Sequence, residues 1–284
     1  MDDSSQAESG ERTGPPALGL DRPHPARMYD YYLGGKDHYE LDRVAAHEVE
    51  TTFPGISMCA RVNRAFMHRS TRELVRRGYR QWLDIGTGIP TRPNLHEVAQ
   101  EAAAETRVVY VDNDPLVLTH ARALLTSTPE GRTAYVQADV TSPEQILGSP
   151  ELRTTLDLSQ PVVLSLHALL HFVPDSADPH GIVRRLLAAL PSGSALSLTH
   201  CTGDFAPATW QKIVTIYRLG GIPAQVRHKD EVAGFFDGLR VLEPGIVLAH
   251  RWRPNDLDRP VRSPDGRPVG DAEVSLWAGI GIKP

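Results

Sequence analysis

The sequence predicts an α/β domain built on a mostly parallel sheet. Three observations carry that prediction. From residue 80 to about residue 220, short β-branched or apolar runs alternate with amphipathic segments of about 10 to 15 residues, the rhythm of βαβ units. The first apolar run ends in Leu83-Asp84-Ile85-Gly86-Thr87-Gly88, a glycine turn of the kind that closes a first parallel strand. Acids stand at the ends of the first three runs, as Asp84, Asp112 and Asp139.

The elements follow in chain order. Residues 1–25 are rich in Ser, Gly, Pro and acids without apolar periodicity, which predicts a disordered tail. Residues 26–79 read as a helical cap. ARMYDYYLGGKDHYELDRVAAHEVE carries helical spacings broken at Gly34-Gly35, and a second amphipathic helix places Ile56, Ala60, Val62, Phe66, Leu74 and Val75 on one face. Gly78 supplies its stop. The core, residues 80–284, begins with strand WLDI, helix NLHEVAQEAAAE, strand RVVYVD, helix DPLVLTHARALLTS and strand TAYVQADV. It continues with the apolar run VVLSLHALLHF, helix HGIVRRLLAALP and strand SALSLTHC. A helix around FAPATWQKIVTIYRL then precedes LRVLEPGIVLAH and EVSLWAGIGIK. Those two, joined by a polar Pro-rich loop over 253–271, predict an antiparallel hairpin on the sheet edge and seven strands in all.

Composition narrows the functional classes. The 284 residues are 40% hydrophobic and 23% charged, with net charge −5 and no long Lys/Arg run, so no nucleic-acid partner is expected. No apolar stretch approaches the ~20 residues of a membrane span. The acidic, polar N-terminus is no signal peptide. Cys59 and Cys201 lack CxxC spacing, which argues against a disulfide framework or structural zinc and suits a reducing cytoplasm.

The glycine turn lets a ligand approach main-chain atoms without an intervening Cβ. A GxG also marks many ordinary βα turns, and a lone acid at a strand end is often a helix N-cap. All three strand ends carrying an acid in order is a stronger pattern: Asp112 can accept from both hydroxyls of a ribose, and Asp139 from an adenine amino group. Pro90, two residues past Gly88, suits a first helical turn. Gly34-Gly35-Lys36 is no phosphate loop, because the first glycine is missing and Asp37 replaces the magnesium-binding hydroxyl. His167 and His171 stand at i, i+4 without an HExxH glutamate or third ligand, so no metal is expected. Arg61, Asn63, Arg64 and Arg69 read as a solvated basic helix face. His250-Arg251-Trp252-Arg253 either lines a pocket or closes the edge hairpin.

LDIGTG, VYVDNDP and VQADV resemble the first three motifs of class I S-adenosylmethionine-dependent methyltransferases. More closely, ARMYDYYLGGKDHYELDR, VNRAF, LDIGTGIPT, NLHEVAQ, HFVPD, LEPGIV and HRWRP resemble an actinobacterial S-adenosylmethionine methyltransferase family of undetermined substrate, from about Ala26 to the C-terminus. The resemblance implies a Rossmann-like methyltransferase fold and S-adenosylmethionine as cofactor. It implies that Asp84, Gly86, Thr87 and Gly88 hold the methionine moiety, that Asp112 with Asn113 takes the ribose, and that Asp139 with Val140 frames the adenine. Arg64 is the candidate clamp for the methionine carboxylate. Gly34-Gly35 is read as the hinge of a lid that brings Gly35, Lys36 and the tyrosines Tyr29, Tyr31 and Tyr32 over the cofactor. His167 is the candidate general base, titrating near 6 to 7, for a small-molecule O, N or C nucleophile. Two competing readings are a non-catalytic S-adenosylmethionine-binding sensor and an NAD(P)-linked oxidoreductase. The latter is disfavoured by Asp84 before the turn and by Thr91 where a third glycine would stand.

Overall fold

A computed structural model describes residues 19–124, 126–254, 261–263 and 265–284. Most of the predicted tail, residues 1–18, and residues 255–260 and 264 of the predicted 253–271 loop lie outside the described residues. In chain order the helices are α1 (Pro25–Tyr32), α2 (Glu40–Thr52), α3 (Ile56–Arg76), α4 (Leu95–Ala102), α5 (Pro115–Leu124) and α6 (Pro143–Gly148). They continue with α7 (Pro150–Thr155), α8 (Pro179–Ala188), α9 (Pro207–Leu219), α10 (Lys229–Ala233) and α11 (Asp271–Val274). The strands are β1 (Gln81–Ile85), β2 (Arg107–Asp112), β3 (Arg132–Gln137), β4 (Val163–His167), β5 (Ala195–Cys201), β6 (Arg240–Val241), β7 (Val247–Leu248) and β8 (Leu276–Ile282).

The strands form one sheet in the order β3-β2-β1-β4-β5-β8-β6, with β7 also paired to β8. Pairing from β1 to β5 is parallel, and β8 runs antiparallel to β5, β6 and β7. The chain builds outward from β1 to β3 and then returns to place β4 on the other flank of β1. That reversal opens a crevice at the carboxyl ends of β1 and β4, where open α/β sheets take their ligands.

The central strands read as continuous apolar runs because both faces of the sheet are covered. Alternate residues feed two cores. Trp82, Val108, Tyr110, Val163 and Ala195 face the cap helices and α9. Leu83, Ile85, Val109, Val111, Leu164 and Leu166 face the opposite layer, with Ile182, Leu186 and Phe235. Two-residue periodicity therefore puts Asp84 on the cap side, with Trp82.

The sheet corrects the expected edge hairpin in one respect. β8 lies inside the sheet, between β5 and β6, and the predicted partner strand is split into β6 and β7, both on β8. Pro244 has no N–H to give the ladder and Gly245 has φ 89°, so the chain leaves the sheet between them. The N-terminal boundary also differs. Residues 19–25, predicted as tail, are packed: Arg27 donates to the carbonyls of Gly19 (3.0 Å) and Arg22 (3.2 Å), and the His24 N–H donates to Asp42 (2.8 Å). Pro25 opens α1 and His24 caps it.

Arg27 is the joint between cap and core. Its Nε lies 3.4 Å from Asp42 at the start of α2 and 3.4 Å from Asp114 in the loop after β2, and all three side chains are buried. His24 lies 3.3 Å from the same Asp114 oxygen. Removing one member of a buried ion group strands the other charges. Arg27→Ala is therefore expected to lower the unfolding free energy by about 3–5 kcal/mol in urea titration. A loss below about 1 kcal/mol would show that water reaches both carboxylates and that the joint is not structural.

Candidate functional site

A cavity of about 530 Å³ fills the crevice at the carboxyl ends of β1 and β4. Its floor comes from the loops after β1, β2, β3 and β4. Its roof comes from Arg22–Ala26, α1, α3 and α9. Gly86 and Gly88 adopt φ of 76° and 67°, a region L side chains rarely enter. A Cβ at Gly86 would stand 2.7 Å from Leu169, whereas nothing lies within 4 Å of one at Gly88. The turn is tied to β2: Gly86 N–H donates to Val111 O (2.8 Å), and Gly88 N–H to Asp112 Oδ2 (2.9 Å).

The three acids meet this cavity in different states. Asp84 is buried, and burial raises its carboxyl to about 7 despite Arg64 and a hydrogen bond from Thr87, with Asp112 adding to the rise. Asp112 accepts from the N–H groups of Gly88 and Asp114, yet burial still pushes its carboxyl up. The helix-capping role belongs to its neighbour, since Asp114 accepts from Leu116 N–H at the start of α5 (3.0 Å). That leaves Asp112 on the cavity wall. Asp139 stands two residues beyond β3 rather than at its end. Burial pushes its carboxyl up, but bonds from Thr141 N–H (2.9 Å), Thr141 Oγ1 (2.7 Å) and Asn113 Nδ2 (2.8 Å) outweigh it and hold the group below its ordinary range. Asn113 and Val140 line the cavity beside it.

Arg64 and Thr87 also line the cavity. The Arg64 guanidinium donates to the carbonyls of Thr91 (2.5 Å) and Pro93 (2.6 Å), so part of its donor set holds the loop that follows the glycine turn. That loop runs to the N-cap Asn94 before α4 begins at Leu95, so Pro90 lies outside the helix instead of in its first turn. Of the predicted solvated basic face only Arg61 is exposed, and Arg64 is half-buried. Asn63 and Arg69 are buried: Asn63 bonds Tyr29 (2.9 Å) and Thr199 (2.7 Å), and Arg69 bonds the carbonyls of Ala249 and Trp252. Those bonds, with Trp252 packed edge-on to Phe66, fix His250–Arg253 as a closure against α3, away from the cavity.

Gly35 and Lys36 do not line the cavity. The buried Asp30 carboxylate gathers the turn back onto α1, accepting from Asp37 N–H (2.9 Å) and contacting His38 Nδ1 (3.0 Å). A Cβ at Gly35 would overlap that carboxylate at 1.9 Å, so this glycine is needed for close approach within the cap. Lys36 is exposed. Of the three tyrosines, Tyr29 and Tyr32 reach the wall and Tyr31 does not. The predicted tail instead supplies Arg22, Pro23 and His24 to the cavity wall.

His167 ends β4 on the cavity wall, its Nε2 2.8 Å from Ser197 Oγ and its ring edge-on to Phe66. Burial, helped by Arg64, lowers it to about 3, so it is neutral throughout the physiological range rather than titrating at 6 to 7. His171 follows in a 3-10 turn, lowered to about 3 by burial and Arg227, with Nε2 3.8 Å from Cys201 Sγ. The two imidazoles thus serve different neighbours. Among the described residues no group of three or more His, Cys, Asp or Glu is placed to hold a metal, and no helix is long and apolar enough to cross a membrane.

Comparison with known proteins shows the family. The model of the S-adenosyl methyltransferase family matches residues 11–284. A DUF574 family protein from Streptomyces avermitilis superposes with a TM-score of 0.89 at 46% identity, covering 94% of this chain and 100% of that one. A candidate methyltransferase from Thermobifida fusca superposes at 0.83 with 38% identity, covering 96% and 99%. None of the curated proteins matches. The match over nearly the whole chain shows that this protein belongs to the S-adenosyl methyltransferase family and is an enzyme that uses S-adenosylmethionine.

Proposed function

We propose that the protein transfers a methyl group to a small molecule held beside His167, with the donor lying across Asp84, Asp112 and Asp139. The single observation carrying this assignment is that all three acids share one cavity with an open glycine turn. The residues suit the donor: Gly88 leaves free space where a side chain would intrude, and the carboxylates match its ammonium and hydroxyl groups. Bound there, S-adenosylmethionine supplies an electrophilic methyl group.

Each residue then has a defined task. Asp112, already fixed by Gly88 and Asp114, offers its remaining lone pairs to the ribose hydroxyls. Asn113 and Asp139 are bonded to each other and form the far wall with Val140. Asp84 receives the methionine ammonium, and Arg64 directs its uncommitted N–H groups to the carboxylate. Arg22–Ala26, Tyr29 and Tyr32 cover the site and exclude water, which strengthens each electrostatic contact beneath them. His167 is a neutral hydrogen-bonding group: an imidazole lowered to about 3 is a weak proton acceptor, so it orients the acceptor, and the rate comes from positioning.

Three outcomes test these assignments. A carboxyl raised to about 7 must lose its proton to pair with an ammonium. S-adenosylhomocysteine affinity should be full above that pH and fall as pH drops through it, by up to about tenfold per unit. Calorimetry in buffers of different ionisation enthalpy would detect the released proton, and Asp84→Asn should abolish the slope. A flat affinity from pH 5 to 8 in the parent protein would remove Asp84 from the ammonium. Asp112→Ala should weaken S-adenosylhomocysteine by about 1.5–3 kcal/mol, the range for hydrogen bonds to a charged group. Unchanged affinity would take ribose recognition away from Asp112. His167→Ala should lower kcat by about tenfold, well under the 10²–10⁴ of a lost general base. The parent's kcat should show no inflection near pH 6 to 7, and an inflection removed by His167→Ala would restore it as the base.

A further inference from the structure

The cavity has two ends of opposite character. The Asp, Glu, Lys and Arg residues on its wall are Arg22, Arg64, Asp84, Asp112 and Asp139, which belong to the roof segment before α1, to α3, or to the β1–β3 side. The other end lies over β4 and β5, beneath α9. The wall residues there include Tyr32, Ile56, Phe172, Trp210, Ile213 and Tyr217, all uncharged. The rings are set at angles suited to a planar guest: Phe172 and Tyr217 are edge-to-face at 5.3 Å, and Trp210 is braced by Phe53 at 5.5 Å.

Polar capacity in this end is sparse and neutral. The hydroxyls of Tyr32 and Tyr217 lie 3.2 Å apart, so one donates to the other and a single O–H of the pair is left to offer. Burial raises both phenols, which keeps them protonated. Trp210 Nε1 and His171 Nδ1, on two further wall residues, have no hydrogen-bond partner among the described residues. A buried apolar lobe with a few unspent hydrogen-bonding groups selects an uncharged guest, because an ion would be desolvated there without a counter-charge.

We propose that this lobe is the acceptor site and that it takes an uncharged, aromatic molecule bearing an oxygen, the ring among Phe172, Trp210 and Tyr217 and the oxygen at the Tyr32–Tyr217 hydroxyl pair. The assignment rests on the adjoining acidic end holding the methyl donor.

The test uses the full chain saturated with S-adenosylhomocysteine, whose own binding is first measured by calorimetry. Three probes share one ring system and differ in charge: 2-naphthol, 2-naphthoate and protonated 2-(aminomethyl)naphthalene. Naphthol should bind with one-to-one stoichiometry and at least about tenfold more tightly than either ion, the penalty of an unpaired charge in an apolar site. Tyr217→Phe should weaken naphthol several-fold and leave naphthalene unchanged. Ile213→Lys, where it folds, should shift the preference toward naphthoate. If S-adenosylhomocysteine binds while naphthoate or the ammonium probe matches or exceeds naphthol, or naphthol fails to bind at millimolar concentration, the acceptor class is overturned and the donor site stands. If Tyr217→Phe binds naphthol as the parent does, the hydroxyl pair is not the oxygen contact. If S-adenosylhomocysteine itself does not bind, the donor assignment falls and this one with it.

Discussion

One buried guanidinium makes the rest of the site possible. Arg27 lies between the carboxylates of Asp42 and Asp114, which belong to the cap and to the loop after β2. Through it, a segment of polar composition becomes a roof over the carboxyl ends of the strands. Desolvating three charges together is expensive, and apolar side chains would join the same elements with less cost. What the ion group adds is direction. Asp114 turns Oδ2 to Arg27 and Oδ1 to Leu116 N–H at the start of α5, and in that position its own N–H reaches Asp112. The joint of the cap and the orientation of Asp112 thus meet in one residue, the first through the Asp114 carboxylate and the second through its backbone N–H, with Gly88 N–H as the other donor to Asp112.

The cavity under that roof is polarised along its length. At one end a carboxyl is held far from its ordinary value by burial, with Arg64 only partly offsetting it. A shift from 3.8 to about 7 corresponds to roughly 4 kcal/mol of unfavourable burial once the group is ionised. The folded-state value lies above the unfolded one, so in the ligand-free protein the contribution of this one group to stability falls as pH rises from about 4 to about 7. A cationic guest relieves that burden. At the other end the imidazoles and phenols are all driven to their neutral forms by the same physical cause, burial. Burial disfavours charge at both ends; the acidic end keeps one because hydrogen bonds from Thr141 and Asn113 hold Asp139 low against it.

The sheet and its acids were legible in the sequence because they rest on local rules. β-branched and apolar runs, with one glycine turn, declare β1 to β5, and an acid is read directly near the end of each of the first three: within β1, at the last residue of β2 and two residues past β3. The cap was read as helices and as a lid, but the course of its glycine turn was not legible. Nothing local tells that Asp30 will fold Gly35 and Lys36 away from the cavity, because that turn is decided by a single buried carboxylate. Nor could residues 19–25 be separated from the tail by composition; Pro25 as a helix start was the available signal, and it points to α1 without saying what lies before it. The protonation state of His167 was misjudged for a related reason. Sequence gives the residue type and its reference value, while the shift arises from burial by the surrounding elements, helped by the charge of Arg64 on α3. The short helices α6, α7, α10 and α11 carry too few turns to show a period.

The position of β8 has a bearing on how the chain acquires its structure. It pairs with β5 on one side and with β6 and β7 on the other, and it is translated after all of them. Until it emerges, β5 has a bare hydrogen-bonding edge, and the two-residue segments that will flank β8 have no ladder to join. Every native contact that β8 makes in the sheet spans a long stretch of chain, so its docking closes large loops and belongs to a late step of folding. The nascent protein can therefore assemble the five parallel strands and the acidic floor of the cavity while still carrying an open edge, the feature that invites mispairing with another chain. The final strand is the molecule's own edge protection, delivered last.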